Sequence, residues 1–183
     1  MLGVASLKQM RLYSAVYQNM GIDYAIVNSI DGYDEISLTG EFKIMTKYNE
    51  EILTPEDLGL KTISPSDLTA GQNVEEAARI FDEVLAGTAP ESKKEVVVAN
   101  AAIAINVLDK GKKSFVDCIA IARESLVYLK AMHFRDVAFL LVLEDDSIPF
   151  NRYNLRLCRL FNLFLFYECF FVSLCLLTGI ILE

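Results

Sequence analysis

The stretch N-S-I-D-G-Y-D-E-I-S-L-T-G, residues 28–40, places three acids and two glycines directly after the apolar segment 24–27. That segment is short and rich in β-forming residues, which predicts a buried strand ending in an acidic turn. The carboxylates of Asp31, Asp34 and Glu35 repel one another at this spacing unless water or a cation neutralises them. Mg²⁺ suits such a turn because it takes oxygen ligands and is commonly held by one or two carboxylates.

The same residues also allow a plainer interpretation as a surface turn. Asp31 and Gly32 lie between two apolar segments, and both residue types tolerate positive φ, which is typical of a β-hairpin. Asp34 and Glu35 are then ordinary solvated acids. A motif this short does not choose between a metal site and a turn by its spacing alone.

The composition describes a chain with a real core and argues against nucleic acid as its main partner. The 183 residues are 53% hydrophobic, which is enough for one domain. Seventeen basic residues stand against 25 acidic ones, for a net charge of −8, and phosphate-backbone binding requires clustered Lys and Arg. Residues 1–20 lack a basic segment followed by an apolar core, so we expect a cytoplasmic protein in which Cys118 is a reduced, buried thiol.

The order of predicted elements indicates an α/β fold, with strands only in the first part and helices behind. Ser6 and Gly21 bracket an amphipathic helix, and the alternation in residues 42–48 predicts a surface hairpin with residues 52–53. Further helix starts are predicted at positions with capping residues or prolines: Thr54 with Pro55, Ser64 with Pro65, Asn73 with Glu76, Pro90, and Ser114 with Asp117.

Residues 96–108 predict the core helix, because they are almost entirely apolar apart from Asn100 and Asn106. A buried Asn100 needs hydrogen-bond partners, either in a neighbouring loop or in a ligand. The loop is the favoured partner, since buried polar groups are usually satisfied within the protein. The lysines that follow, Lys110, Lys112 and Lys113, are expected in a solvated loop where the helix ends.

The run D-G-Y-D-E-I-S-L-T, residues 31–39, resembles the acidic metal-binding motif of anthranilate phosphoribosyltransferase. Several other blocks agree with that family in the same order: L-G-V at 2–4, L-T-P-E-D-L-G-L at 53–60, V-E-E-A-A-R-I-F-D-E-V-L-A-G at 74–87 and V-A-N-A-A at 98–102. The resemblance covers residues 1–126. It implies the C-terminal part of the phosphoribosyltransferase or nucleoside phosphorylase-like α/β domain, a partial, mostly parallel sheet flanked by helices over residues 1–130.

The resemblance also implies a function. The family transfers a phosphoribosyl group from phosphoribosyl diphosphate to anthranilate, a pentosyltransferase step of tryptophan biosynthesis. Asp34 and Glu35 are then the carboxylates that hold Mg²⁺, with Asp31 and Gly32 shaping the turn. No catalytic side chain is expected here, because the amine of the substrate is the nucleophile.

Departures from the family pattern predict little or no activity for this chain alone. The glycine-rich G-T-G-G-D phosphate loop, the anthranilate-binding segments and the helical domain through which the family forms homodimers have no counterpart in the sequence. Asn28 and Ser29 stand where many relatives have His and Gly. Two other interpretations remain open: a nucleoside phosphorylase-like transferase with another acceptor, and a non-catalytic, membrane-tethered α/β remnant.

Residues 131–183 form an apolar tail that does not match the family. The segment 160–182 is long enough to cross a bilayer at about 1.5 Å per residue, and arginines precede it. Glu168 in mid-span argues against insertion. The favoured interpretation is a frame change or misassigned gene end, ahead of a membrane anchor and of a buried globular extension.

Overall fold

The computed structural model of the protein describes residues 1–131, and side chains as far as Val127. The apolar tail and its segment 160–182 therefore lie outside the described residues, and the domain boundary near residue 130 stays a prediction. None of the described helices combines the length and the apolarity that a membrane crossing requires.

The described residues form an α/β fold, as predicted. The strands are β1 Leu2–Gly3, β2 Ala25–Ser29, β3 Phe42–Thr46 and β4 Glu50–Leu53. The helices are α1 Leu7–Met20, α2 Val74–Leu85, α3 Glu91–Leu108 and α4 Phe115–Ala131, with short 3-10 turns at Pro55–Leu58 and Pro65–Leu68. Strands thus occupy only the first part of this region.

The sheet has the order β1-β2-β3-β4 and is mixed within the described residues. β1 runs parallel to β2, with Leu2 opposite Ile26, whereas β2–β3 and β3–β4 are antiparallel. The one parallel pair is joined by a crossover through α1, which is the connection that parallel strands require. Helices cover both faces of this sheet, so the α/β class and the flanking helices are confirmed. Two of the three strand pairs are antiparallel, so the described part of the sheet is mixed, whereas a mostly parallel sheet was expected.

Strand β2 is buried on both faces. Ala25 and Val27 belong to the large core that includes α3 and α4, whereas Tyr24 and Ile26 belong to a smaller cluster with Met10 of α1. Successive side chains of a strand point to opposite faces, so one run of apolar residues serves both clusters.

The interpretation of residues 42–53 as a surface hairpin is correct only for its second strand. β3 is an inner strand that pairs with both β2 and β4. Phe42 and Ile44 are fully buried against the large core. β4 is mostly exposed, because nothing in the described residues pairs with its outer side.

Helix α1 begins and ends as predicted, but its predicted apolar face is only partly buried. The Ser6 hydroxyl accepts a hydrogen bond from the Gln9 N–H at the first turn. Of the residues expected on that face, Met10 is fully buried, while Val16 is 43% and Met20 63% exposed. The small cluster below α1 holds few residues, so it buries a narrower stripe of the helix than the sequence spacing predicted.

Helix α3 is the core helix, and Asn100 is its buried amide. Residues 96–105 are buried, and Asn100 itself is 1% exposed. Its Oδ1 accepts from the Ile36 N–H at 3.1 Å, and its Nδ2 donates to the Ile36 and Val96 carbonyls, both at 2.9 Å. The prediction that Asn100 bonds to a neighbouring loop is confirmed.

The remaining predicted features lie where the sequence placed them. Helix α4 is capped by Ser114, whose Oγ accepts from the Asp117 N–H at 3.1 Å. Cys118 is a fully buried free thiol, and its burial raises the pKa of that thiol above the usual value. The three lysines between α3 and α4 are exposed, and Lys113 pairs with Asp109 at 2.6 Å.

Substitution of Asn100 tests the contribution of this amide to stability. Asn100→Ala leaves the buried N–H and C=O of Ile36 without side-chain partners, so we expect the free energy of unfolding to fall by about 3 kcal/mol. Urea denaturation followed by circular dichroism measures the change. Asn106→Ala on the same helix is the control: its amide donates to the Lys113 carbonyl at a more exposed position, and the expected loss is below about 1.5 kcal/mol. Equal losses in the two variants would contradict this prediction.

Gly3 offers a second test, because a Cβ built on it lies 2.0 Å from the Asp34 carbonyl oxygen. Since backbone atoms cannot give way cheaply, we expect Gly3→Ala to lower the free energy of unfolding by about 1–3 kcal/mol. At Gly40 the nearest atom to such a Cβ is 3.8 Å away, so Gly40→Ala should change stability by less than about 0.5 kcal/mol. A silent Gly3→Ala variant would show that the loop does not rest on β1.

Candidate metal-binding loop

The three acids lie in the connection between β2 and β3, residues 30–41, which we name the acidic loop. The loop is much longer than the two-residue hairpin that Asp31 and Gly32 alone would indicate. Gly32 nevertheless has a positive φ of 106° and lies in a turn, where its N–H donates to the Ser29 carbonyl at 3.1 Å. Residues 36–39 form no regular strand.

The acidic loop begins where strand β2 ends and folds back over the end of β1. Val4, just beyond β1, donates its N–H to the Val27 carbonyl at 3.0 Å, and the Asp34 carbonyl lies against Gly3. Asp34 and Glu35 therefore lie beyond the carboxyl ends of the two parallel strands. In open α/β sheets this is the edge at which ligands bind.

The three acids differ in exposure. Asp31 is exposed, Asp34 is half-buried, and Glu35 is 7% exposed. An acid this deeply buried is unusual for a solvated turn, since the charged form loses hydration. The exposure of Glu35 therefore argues against the interpretation of Asp34 and Glu35 as ordinary surface acids.

Two residues that depart from the family pattern hold the loop and its neighbouring strand. The Asn28 Nδ2 donates to the Val4 carbonyl at 2.7 Å, which ties β2 to the end of β1. The Ser29 Oγ donates to the Glu35 carbonyl at 2.5 Å. With Asn28 and Ser29 at these positions, the acid pair lies on a loop that is fixed to the sheet.

The acidic loop also contains a backbone conformation that favours glycine. Leu38 has φ of 60° and is fully buried in the large core. Its carbonyl accepts from the Ile63 N–H at 2.9 Å. A non-glycine residue in this region costs about 1–3 kcal/mol and persists where the surroundings determine it, as at ligand-binding loops.

Sequence reasoning missed the polar residues that support the loop from inside. Ser37 is 3% exposed, and its Oγ lies 2.7 Å from the Thr39 Oγ1. The alternation of Ser37 and Thr39 after the acids was visible in the sequence, but its partners across the loop were not. These hydroxyls join the acidic loop to the last residue of β2.

The donor set of the loop fits Mg²⁺ in type and number. Asp34 and Glu35 supply hard oxygen ligands, and Mg²⁺ is usually held by one or two carboxylates, with waters and substrate phosphates completing the shell. Within residues 1–127, no group of three or more His, Cys, Asp or Glu side chains lies close enough to form an all-protein site. The arrangement is therefore suited to a metal that arrives with an anionic ligand.

Comparison with known proteins agrees with the residue patterns. A family model described as "Glycosyl transferase family, a/b domain" matches residues 1–132. An anthranilate phosphoribosyltransferase of Bacteroides fragilis strain YCH46 is 52% identical over 131 residues, which is 72% of this chain and 39% of that protein. The corresponding protein of Cytophaga hutchinsonii is 45% identical over 126 residues, 69% of this chain and 38% of its own length. The chain thus spans about two-fifths of the relatives that it matches.

Solved structures share the same fold. The anthranilate phosphoribosyltransferase of Thermus thermophilus is 26% identical with a TM-score of 0.64, over 72% of this chain and 39% of that chain. The enzyme of Saccharomyces cerevisiae in complex with PRPP and Mg is 23% identical with a TM-score of 0.59, over 70% and 37%. Through residues 1–132 the chain belongs to the glycosyl transferase family, a/b domain, and the resemblance to anthranilate phosphoribosyltransferase is confirmed.

Proposed function

We propose that the chain is a fragment of an anthranilate phosphoribosyltransferase that carries the metal-binding loop of the donor site. Asp34 and Glu35 would hold Mg²⁺, and with it this part of the chain would bind the diphosphate of phosphoribosyl diphosphate. The observation that carries this proposal is the position of both acids beyond the carboxyl ends of β1 and β2. Identity of 52% to the Bacteroides fragilis enzyme over this region supports the substrate class.

The residues of the chain support this role by fixing where the acids lie. Asn100 holds Ile36, directly after Glu35, through both of its backbone polar groups. Gly3 allows the Asp34 backbone to approach β1. The acids are therefore held in place before any ligand binds, so less conformational entropy is lost when one does.

Bound Mg²⁺ neutralises the negative charge that develops on the diphosphate leaving group when the ribosyl bond breaks. The part of this chain in the reaction is to bind and orient that complex. The sequence supplies neither a glycine-rich G-T-G-G-D loop nor the anthranilate-binding segments of the family. We therefore propose that the 183-residue chain by itself does not complete the transfer.

Removal of the loop carboxylates should abolish metal binding. We expect Asp34→Asn and Glu35→Gln each to weaken the binding of Mn²⁺, used as a spectroscopic probe for Mg²⁺, by at least about tenfold, because each variant replaces a charged ligand by a neutral one. Titration of free Mn²⁺ by electron paramagnetic resonance measures this affinity.

A second pair of adjacent acids provides the control for the metal titration. Glu50 and Glu51 are neighbours on exposed strand β4, away from the acidic loop, so Glu51→Gln should leave Mn²⁺ affinity unchanged. If Glu51→Gln weakens binding as much as Asp34→Asn does, the protein attracts the ion through its net negative charge and the proposed site is wrong.

Transferase activity tests the rest of the proposal. The purified chain with Mg²⁺, phosphoribosyl diphosphate and anthranilate should consume anthranilate no faster than a protein-free sample, as followed by anthranilate fluorescence. The Bacteroides fragilis enzyme under the same conditions is the positive control. Turnover by the chain within about tenfold of that control, equivalent to about 1.4 kcal/mol in activation free energy, would show that it contains a complete active site.

A further inference from the structure

Three hydroxyl side chains form a continuous line along the inside of the acidic loop. Ser29 Oγ donates to the Glu35 carbonyl at 2.5 Å and accepts from the Ser37 N–H at 3.2 Å. Ser37 Oγ lies 3.2 Å from Ser29 Oγ and 2.7 Å from Thr39 Oγ1. Thr39 Oγ1 donates in turn to Oδ2 of Asp31. The line therefore runs from the backbone beside the acid pair to a third acid at the surface.

The number of protons fixes the direction of this line. Each hydroxyl has one proton to donate, and an ionised carboxylate only accepts. Because Thr39 gives its proton to Asp31, the short contact between Ser37 and Thr39 requires Ser37 to be the donor. Ser29 then keeps its own proton for the Glu35 carbonyl. With these assignments Ser37 is joined to Ser29 by its N–H, and the 3.2 Å contact between the two hydroxyl oxygens carries no proton.

The side chain of Asp31 is bonded to its own loop. Its Oδ2 accepts from Thr39 and lies 3.8 Å from the position of a Cβ on Gly40, so the side chain faces the later half of the loop. A hydrogen bond to a charged group is stronger than one between neutral groups, and a chain of such bonds is mutually reinforcing. Asp31 thus joins the beginning of the acidic loop to its end at Thr39.

We propose that Asp31 is a positioning residue that acts through Thr39 and Ser37 to hold the segment presenting Asp34 and Glu35. This inference rests on the proposed metal-binding function and adds residues to it that do not touch the metal. The Ser29 bond to the Glu35 carbonyl and the Asp31 bond to Thr39 add to the Asn100 bonds that hold Ile36. Loss of the Asp31 bond loosens the part of the acidic loop around Thr39, which follows the acid pair.

Three variants of the full chain separate positioning from ligation. Thr39→Val keeps the shape of the side chain but cannot donate to Asp31, so we expect Mn²⁺ affinity to fall by about tenfold, as for other residues that orient ligands. Thr39→Ser keeps the hydroxyl and should stay within about twofold of the unsubstituted protein. Asp31→Asn removes the charge and should weaken binding by about as much as Thr39→Val.

The double variant Asp31→Asn with Thr39→Val decides whether the two residues act as one unit. If Asp31 acts through Thr39, the double variant binds Mn²⁺ no more weakly than either single variant, because the effects of coupled residues do not add. If the two residues act independently, the losses multiply to about a hundredfold, and the role of Asp31 through Thr39 is overturned.

A matched control lies at the other end of β3. Thr46 also uses its hydroxyl in a turn, accepting from the Tyr48 and Asn49 N–H groups, but it lies opposite Ala25 at the amino end of β2. Thr46→Val should leave Mn²⁺ affinity unchanged. A fall in affinity equal to that of Thr39→Val would show a general loss of stability and overturn the inference.

Amide hydrogen exchange of the metal-free protein provides a readout that does not involve binding. Exchange at Ser37 should be faster in Thr39→Val than in Thr39→Ser, with the urea midpoints of the two variants alike. Affinity and exchange that are both unaffected by Thr39→Val would overturn the positioning role alone. An unsubstituted protein that binds no Mn²⁺ would instead overturn the proposed metal site, and with it the purpose of the positioning.

Discussion

The hydrogen bonds between Asn100 and Ile36 join the core helix to the acidic loop, and the position of the candidate site depends on them. Asn100 belongs to the buried helix α3, and Ile36 belongs to the loop that carries the acids. A segment without regular structure cannot bury its backbone polar groups unless something else satisfies them. The amide of Asn100 does so for both groups of Ile36, which allows the acidic loop to lie against the core without being a strand.

The acidic loop is therefore held in place by contacts with the hydrophobic core. Burial of Leu38 in the large cluster stabilises a φ that leucine rarely adopts. Glu35 is buried beside Ile36, which also belongs to that cluster. The free energy that fixes these residues comes from apolar contacts of α3 and α4 with the sheet. A site built in this way has its ligands arranged before the ligand arrives, which is the usual condition for tight and selective binding of a small anion through a metal.

Much of this arrangement could be predicted from the sequence, and the features that could not be predicted share identifiable physical causes. Helix starts at Ser6, Asn73 and Ser114 were predictable because a cap is a local interaction between residues a few positions apart. The partner of Asn100 is 64 residues away, so only the need for one was visible in the sequence. The burial of β3 and the partial exposure of α1 depend on which elements cover them, and local periodicity carries no information on that. The acids were found because adjacent carboxylates stand out in an apolar setting, whereas the hydroxyls that support them are common residues in an ordinary pattern.

The contact between Gly3 and the Asp34 backbone ties the acids to strand β1. Strand β1 has only two residues and lies at the edge of the described sheet. A short strand with few contacts opens at a small fraction of the free energy of global unfolding. We therefore expect metal binding to be lost at a lower temperature than the fold itself. Warming would open β1 and release the acid pair while the helical layer behind it is still intact.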